Sequence, residues 1–237
     1  MKIGFCVSGG GRTVEAILEA RNAGLLSLEG ACALLDRYTP FSEIADKFDL
    51  PLTLTPRLLG EEREKYRARL GESINSLPAE GLFLSFDWLL PPSVVSRFDL
   101  NMINLHMSLL PLFPGRGAIS AALASGMTYA GATVHRVDDG MDTGPIIGQA
   151  ITPINPGMTE VQLGRAIFKV AVPLCIQAVR WLEQGKLGPS RGRRVTISEA
   201  AYGEGNFSPL LDKDVDEFSR DFLSSRYPEM RRRTEAL

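Results

Sequence analysis

The chain has 237 residues, with 26 Lys and Arg against 28 Asp and Glu, and a net charge of −2. This slightly acidic balance argues against nucleic acid as the main partner, because nucleic-acid footprints are usually basic. The composition, 44% hydrophobic and 23% charged, is that of a globular protein of one large or two small domains, and no apolar run reads as a membrane span.

Cys6, Cys32 and Cys175 are odd in number, far apart and without metal-ligand spacing. They predict reduced core residues in a cytoplasmic protein and no metal site. The opening Met-Lys-Ile-Gly-Phe-Cys-Val runs straight into glycines and is too short for a signal peptide.

Lys2 to Val7 predicts a first strand, and Val14, Ile17 and Leu18 at helical spacing predict a following helix. Between them lies Ser8-Gly9-Gly10-Gly11-Arg12-Thr13. Backbone amides at such a helix start suit an anion such as a phosphate, and Thr13 is a candidate cap. A tight turn that uses glycine only for its backbone angles is the alternative. The spacing fits neither a Walker loop nor a dinucleotide fingerprint.

Strands are expected at 31–35, 51–54 and 81–86, and helices at 41–48 and 61–74. The second helix carries Tyr66, Leu70 and Ile74 on one face, and its arginines read as solvated surface. Asp87-Trp88-Leu89-Leu90 follows the fourth strand, where ligands of open α/β sheets usually bind. Beyond residue 115, a helix at 119–125, strands at 130–137 and 146–151 and a long helix at 159–183 are expected. Residues 185–194 read as a linker or exposed loop, and 214–237 as a helix ending in Arg231-Arg232-Arg233. No repeat or low-complexity tract is visible.

The informative stretch is Asn104-Leu105-His106-Met107-Ser108-Leu109-Leu110-Pro111, followed by Pro114-Gly115. Asn104 and His106 are two apart on a predicted strand and therefore share a face. Asp138-Asp139-Gly140-Met141-Asp142-Thr143-Gly144-Pro145 forms an acidic loop between two apolar strands. An amide, an imidazole and a carboxylate suit acyl transfer, with the amide steadying an oxyanion and the other two moving protons.

Asn104-x-His106-x-Ser108-Leu109-Leu110-Pro111, then Gly115, then Asp142-x-Gly144-Pro145, resembles the signature of the 10-formyltetrahydrofolate-dependent formyltransferases. The likeness covers roughly the first 185 residues. The Ser8-Gly9-Gly10-Gly11 loop is similar to that of phosphoribosylglycinamide (GAR) formyltransferases. The resemblance implies an α/β, Rossmann-like fold with a central, mostly parallel sheet flanked by helices. A catalytic domain is expected over 1–188 and a loop-plus-helix extension over 189–237, packed on the domain or on a second subunit as a homodimer.

The resemblance further implies 10-formyltetrahydrofolate as donor and a small-molecule amine as acceptor. It assigns Asn104, His106 and Asp142 to catalysis, with protonated His106 and Asn104 on the formyl oxygen. Gly10, Gly11, Arg12 and Thr13 would hold a substrate phosphate. Trp88, Leu89, Leu90, Val137, Asp138, Asp139 and Gly140 would line the folate site, and Thr133 and His135 would support it.

Two departures bear on the acceptor. Met107 stands where a proline is usual, and Phe168-Lys169 stands where a ribose-binding Glu-His pair is usual. Four acceptors follow. These are a phosphorylated amine such as glycinamide ribonucleotide, an amino-sugar nucleotide or other specialised amine, methionyl-tRNA, and water in a formyltetrahydrofolate hydrolase. The tail of roughly 50 residues, marginal for an independent domain, and the net acidity weigh against tRNA, and the start at strand one weighs against the hydrolase. A non-catalytic binding module that kept the fold is the remaining alternative.

Overall fold

The computed structural model describes residues 1–230. Strand β1 (Lys2–Val7) is buried along its length after Lys2, as a strand covered by helices on both faces must be. It pairs in parallel with β2 (Gly30–Leu35) on one side and β4 (Gly81–Ser85) on the other. β3 (Leu52–Leu54) extends the sheet beyond β2, and β5 (Met102–His106) continues it beyond β4, both in parallel. The direction then reverses. β6 (Tyr129–Arg136) runs antiparallel to β5, and β7 (Ile146–Pro153) antiparallel to β6.

Two apolar layers sandwich this sheet. One lies under α1 (Arg12–Asn22), α2 (Phe41–Lys47) and the long α6 (Glu160–Glu183). The other joins Tyr66, Leu70 and Ile74 of α3 (Arg63–Asn75) to Val94 and Phe98 of α4 (Pro92–Phe98). A Rossmann-like architecture with its first five strands parallel is therefore observed as the sequence predicts. Cys6, Cys32 and Cys175 are buried free thiols, and burial pushes all three thiols up.

Four expectations need correction. Residues 185–194 are not a free linker. They carry β8 (Leu187–Arg191), which forms an antiparallel hairpin with β9 (Arg194–Ile197), and β9 joins the sheet at β7. Arg136 ties this hairpin down by donating to the carbonyls of Gly188 and Leu187, 2.8 Å each. With β10 (Phe207–Ser208) also paired to β7, the sheet runs across position 188, which falls inside β8.

The terminal helix α7 spans Lys213–Arg226 and is followed by a single 3-10 turn at Pro228–Met230. It packs on α6 and α1 of its own chain. The Arg231-Arg232-Arg233 cluster lies outside the described residues.

Not all the arginines of α3 are solvated. Arg67 donates to the carbonyls of Leu89 and Leu90, and Arg69 is paired with Glu61 at 2.8 Å. Finally, α6 is long and apolar enough to cross a membrane by length and composition. Its apolar residues Leu163, Ile167, Leu174 and Trp181 are instead buried in the core. The helix begins with a capping box, in which Thr159 accepts from the Gln162 amide and Gln162 reaches back to the Thr159 amide.

Candidate active site

The site lies where β5, the last parallel strand, meets the antiparallel β6. The register sets Asn104 opposite His135 and His106 opposite Thr133. Directly opposed side chains on one face of an antiparallel pair lie within contact distance. Asn104 Nδ2 is accordingly 3.1 Å from His135 Nε2. His135 Nδ1 lies 2.6 Å from the Arg136 carbonyl oxygen, which can only accept, so Nδ1 carries a proton. In the neutral ring, Nε2 then accepts from the Asn104 amide, leaving the second Nδ2 hydrogen of Asn104 free.

His106 is gripped on both ring nitrogens. Nε2 is 2.8 Å from the Phe113 carbonyl oxygen, and Nδ1 is 3.3 Å from Asp142 Oδ2. Because a carbonyl only accepts, Nε2 bears hydrogen and donates to it, and Nδ1 is the nitrogen left to face the carboxylate. Phe113 and Asp142 both adopt left-handed backbone angles, φ +52° and +53°. Non-glycine residues rarely do so, and each such residue costs about 1–3 kcal/mol. The two contacts that orient His106 are thus made by two strained residues.

Asp142 is also fixed from below. The Gly115 amide donates to its Oδ2 at 2.7 Å, and its Oδ1 is 3.6 Å from His135 Nε2. Burial alone would raise its pKa. In the imidazolium form of His135, Nε2 turns donor toward Oδ1; that hydrogen bond, the Gly115 amide and the charges of the two imidazoliums outweigh burial and hold the carboxyl below the usual aspartate range. A Cβ at Gly144 would overlap the Arg136 carbonyl oxygen, so the loop carrying Asp142 can approach β6 this closely only with glycine there.

The supporting layer is polar and satisfied. Thr133 Oγ1 donates to the Ser108 carbonyl at 2.7 Å and accepts from the Leu110 amide at 3.0 Å. Gln149 donates to the Leu110 carbonyl at 2.8 Å. These bonds hold the segment after β5 against β6.

Asn104, His106, His135 and Asp142 open into one cleft of about 830 Å³. Trp88, Leu89, Leu90, Val137 and Gly140 line it, as does Gly9 at its glycine-loop end. Asp138 and Asp139 are not in its wall. Asp138 instead closes its own loop, accepting from the Gly140 amide at 3.1 Å and Thr143 Oγ1 at 2.6 Å.

The matching residues extend this site to a family. Residues 1–179 match the family model described as formyl transferase. The chain belongs to that family.

Among curated relatives of this formyl transferase is the methionyl-tRNA formyltransferase of Deinococcus radiodurans, 33% identical over 173 residues, or 73% of this chain and 53% of that protein. The chain therefore spans about half the length of that relative. The chloroplastic phosphoribosylglycinamide formyltransferase of Vigna unguiculata is 29% identical over 203 residues, 78% of this chain and 64% of that protein. In structure the formyl transferase is similar to glycinamide ribonucleotide transformylase 1 from Symbiobacterium toebii. That match has a TM-score of 0.77 at 32% identity and covers 83% of this chain and 93% of the other.

The glycine loop of this formyl transferase sits differently from its expected roles. Gly10 is exposed and Gly11 is buried. Gly11 takes the cap position of α1 in the left-handed region (φ +66°), and a Cβ there would overlap the Phe41 ring. Thr13 is buried in the helix, so it is not the cap. Arg12 lies over the Phe168 ring at 4.5 Å and near the Tyr227 ring at 5.9 Å. Gly10, Gly11, Arg12 and Thr13 are all outside the wall of the main cleft. Sequence reasoning missed Arg63, Arg116, Met141 and Glu160, which line that cleft from four separate segments. No motif spacing links them. Among the described residues no cluster of His, Cys, Asp and Glu could hold a metal ion.

Proposed function

We propose that the protein transfers the formyl group of 10-formyltetrahydrofolate to a substrate amine, and that the amine belongs to a phosphorylated small molecule such as glycinamide ribonucleotide. The observation that carries the chemistry is the convergence of the Asn104 amide, His106 Nδ1 and the Asp142 carboxylate on one cleft. The cleft suits a folate. Its wall combines apolar side chains, Trp88, Leu90 and Val137, with the polar groups of Asp142 and Asn104.

The donor supplies an activated formyl carbonyl. As the amine attacks, negative charge develops on the formyl oxygen. The free Nδ2 hydrogen of Asn104 would donate to it, and the imidazolium of His106, whose Nδ1–H is directed at Asp142, would add its positive charge beside it. Asp142, held ionised, supports the imidazolium and accepts the proton that the amine releases, directly or through one water; the tetrahedral intermediate then collapses by breaking the bond from the formyl carbon to N10 of the donor, and N10 takes up that proton and leaves as tetrahydrofolate. The second nitrogen of His106 stays on the Phe113 carbonyl throughout and keeps the ring from turning. No covalent enzyme intermediate is required, because the amine is itself the nucleophile.

For the acceptor, the similarity to the Symbiobacterium toebii transformylase over 93% of that chain supports glycinamide ribonucleotide. Gly9 at the end of the cleft supports a phosphate there. A second reading, a specialised amine such as an amino-sugar nucleotide, is favoured by Phe168. Its ring is occupied with Arg12 and offers no oxygen to a ribose. The methionyl-tRNA formyltransferase relatives support a third acceptor. Burial of all three free thiols fits a reducing, cytoplasmic setting.

The test is tetrahydrofolate formation from 10-formyltetrahydrofolate with glycinamide ribonucleotide, amino-sugar nucleotides, methionyl-tRNA or no acceptor. Release only with glycinamide ribonucleotide is expected. Release with a different acceptor alone reassigns the substrate, and release without an acceptor replaces the transferase with a hydrolase.

A further inference from the structure

The C-terminal extension reaches the start of the glycine-loop helix. Tyr227, at the end of α7, is half-buried, and its ring stands edge-on to that of Phe168 in α6 at 5.4 Å. The Arg12 guanidinium lies over the Phe168 ring at 4.5 Å and beside the Tyr227 ring at 5.9 Å. Three segments far apart in sequence thus converge on one cation: the first turn of α1, the middle of α6 and the end of the extension. A guanidinium held on aromatic rings by cation–π attraction still has its N–H groups to give to an anion. Arg12 is exposed, and among the described residues no acceptor in the protein takes its hydrogens.

Tyr227 is itself fixed. Its hydroxyl donates to Glu15 Oε2 at 3.3 Å, and Arg226 beside it pairs with Glu15 Oε1 at 3.0 Å. Burial and the Glu15 charge push the phenol up to about 12, so it stays a neutral donor at ordinary pH. Glu15 is buried in α1 one turn after Arg12, on the neighbouring position of the same helix face. Its carboxylate therefore locks the extension to the turn of helix that carries Arg12. Before that turn come Gly9, which lines the main cleft, and Gly10. A Cβ at either glycine would meet nothing within 4 Å, so the loop between the cleft and Arg12 is open to a ligand. Arg12 lies outside the cleft wall, and so meets an acceptor that extends past Gly9 rather than one confined to the cleft.

Resting on the proposal that the acceptor is a phosphorylated amine, we infer that Tyr227 is a positioning residue for acceptor recognition: with Phe168 it holds Arg12 where the guanidinium meets the anionic end of the acceptor. Phe168 offers no oxygen to a sugar, so discrimination at this end falls on charge, and a planar guanidinium suits a phosphate. The extension is then part of the acceptor site and not only a packing element. Tyr227 acts through Arg12 and does not itself touch the acceptor.

The test measures the KM of glycinamide ribonucleotide and of its phosphate-free riboside at saturating 10-formyltetrahydrofolate. The full chain is compared with Arg12→Gln, Tyr227→Leu and the double variant. Each single variant should raise the ribonucleotide KM roughly tenfold and leave the riboside KM and the donor KM within about twofold of the wild type. The double variant should match Arg12→Gln alone, because the two residues act as one unit. Tyr227→Phe, which keeps the ring, should retain most of the wild-type affinity. If Tyr227→Leu folds poorly, the exposed Arg12→Gln carries the test, and an unchanged ribonucleotide KM in that variant overturns the inference. Additive losses in the double variant, or a Tyr227→Leu effect that falls equally on ribonucleotide and riboside, would make the role of Tyr227 merely structural. Either result overturns the inference and leaves the acceptor reading intact. No turnover of the ribonucleotide by the wild type would overturn both.

Discussion

His135 Nε2 accepts a hydrogen bond from Asn104 Nδ2 at 3.1 Å across the β5–β6 ladder, while His135 Nδ1 is pinned to the Arg136 carbonyl at 2.6 Å. One histidine therefore fixes the amide proposed as the donor to the developing oxyanion. Asn104→Ala should lower kcat by about 100-fold, the usual scale for a lost oxyanion donor. His135→Ala should lower kcat less and leave the KM for folate nearly unchanged, because it frees the amide without removing it. Steady-state kinetics of both variants check this, and a larger loss in His135→Ala than in Asn104→Ala would contradict the assigned order.

Asp142→Asn separates charge from shape. Asparagine tolerates the left-handed backbone angle of Asp142 better than most residues, so the loop should hold its course. Turnover should fall by about 100-fold or more as the proton acceptor is lost. The folded-state pKa of Asp142 is depressed. Its ionised form therefore adds stability above the unfolded pKa of about 4, and this stability is lost as pH falls through the lower folded value. The wild type and Asp142→Asn should accordingly differ in Tm at pH 7 and converge as the pH drops below about 4. A difference in Tm that grows on acidification would show that the charge is not stabilising.

Much of this was legible in the sequence. The strand-glycine-helix opening, the apolar strands and the long 159–183 helix follow from periodicity and glycine placement. Asn104 and His106 stood out because they are two apart on a predicted strand, and Asp142 because the motif around it resembles that of the formyltransferases. Less legible were contacts made by backbone atoms. The Phe113 carbonyl on His106 and the Gly115 amide on Asp142 belong to groups that every residue carries, so no side-chain pattern marks them. The hairpin at 187–197 was also hidden. Its strands, Leu-Gly-Pro-Ser-Arg and Arg-Val-Thr-Ile, are short, the first is mostly exposed, and that first strand is held by Arg136 from far back in the chain. Thr13 illustrates a different limit, since Gly11 reaches the cap conformation that a side-chain cap would otherwise secure.

The extension is joined to the glycine-loop helix through Glu15. That carboxylate, 2% exposed, takes Arg226 at 3.0 Å, Lys47 at 3.3 Å and the Tyr227 hydroxyl at 3.3 Å. The Tyr227 ring also packs edge-on against Phe168 at 5.4 Å and Phe222 at 6.0 Å. Tyr227→Ala should destabilise the fold by about 1–3 kcal/mol through these losses. At this chain length that corresponds to roughly 2–4 °C in Tm per kcal/mol. Differential scanning calorimetry reads the shift. An unchanged Tm would mean that the Tyr227 contacts contribute nothing to the stability of the fold.

The central claim is that His106 stabilises the formyl oxygen in the transition state. The most direct measurement is single-turnover formyl transfer at saturating donor and acceptor in the wild type and in His106→Ala, with the donor Kd measured in parallel. The Kd should change little, while the rate falls by at least roughly 100-fold. A variant that binds the donor normally and transfers the formyl group at the wild-type rate would contradict the account.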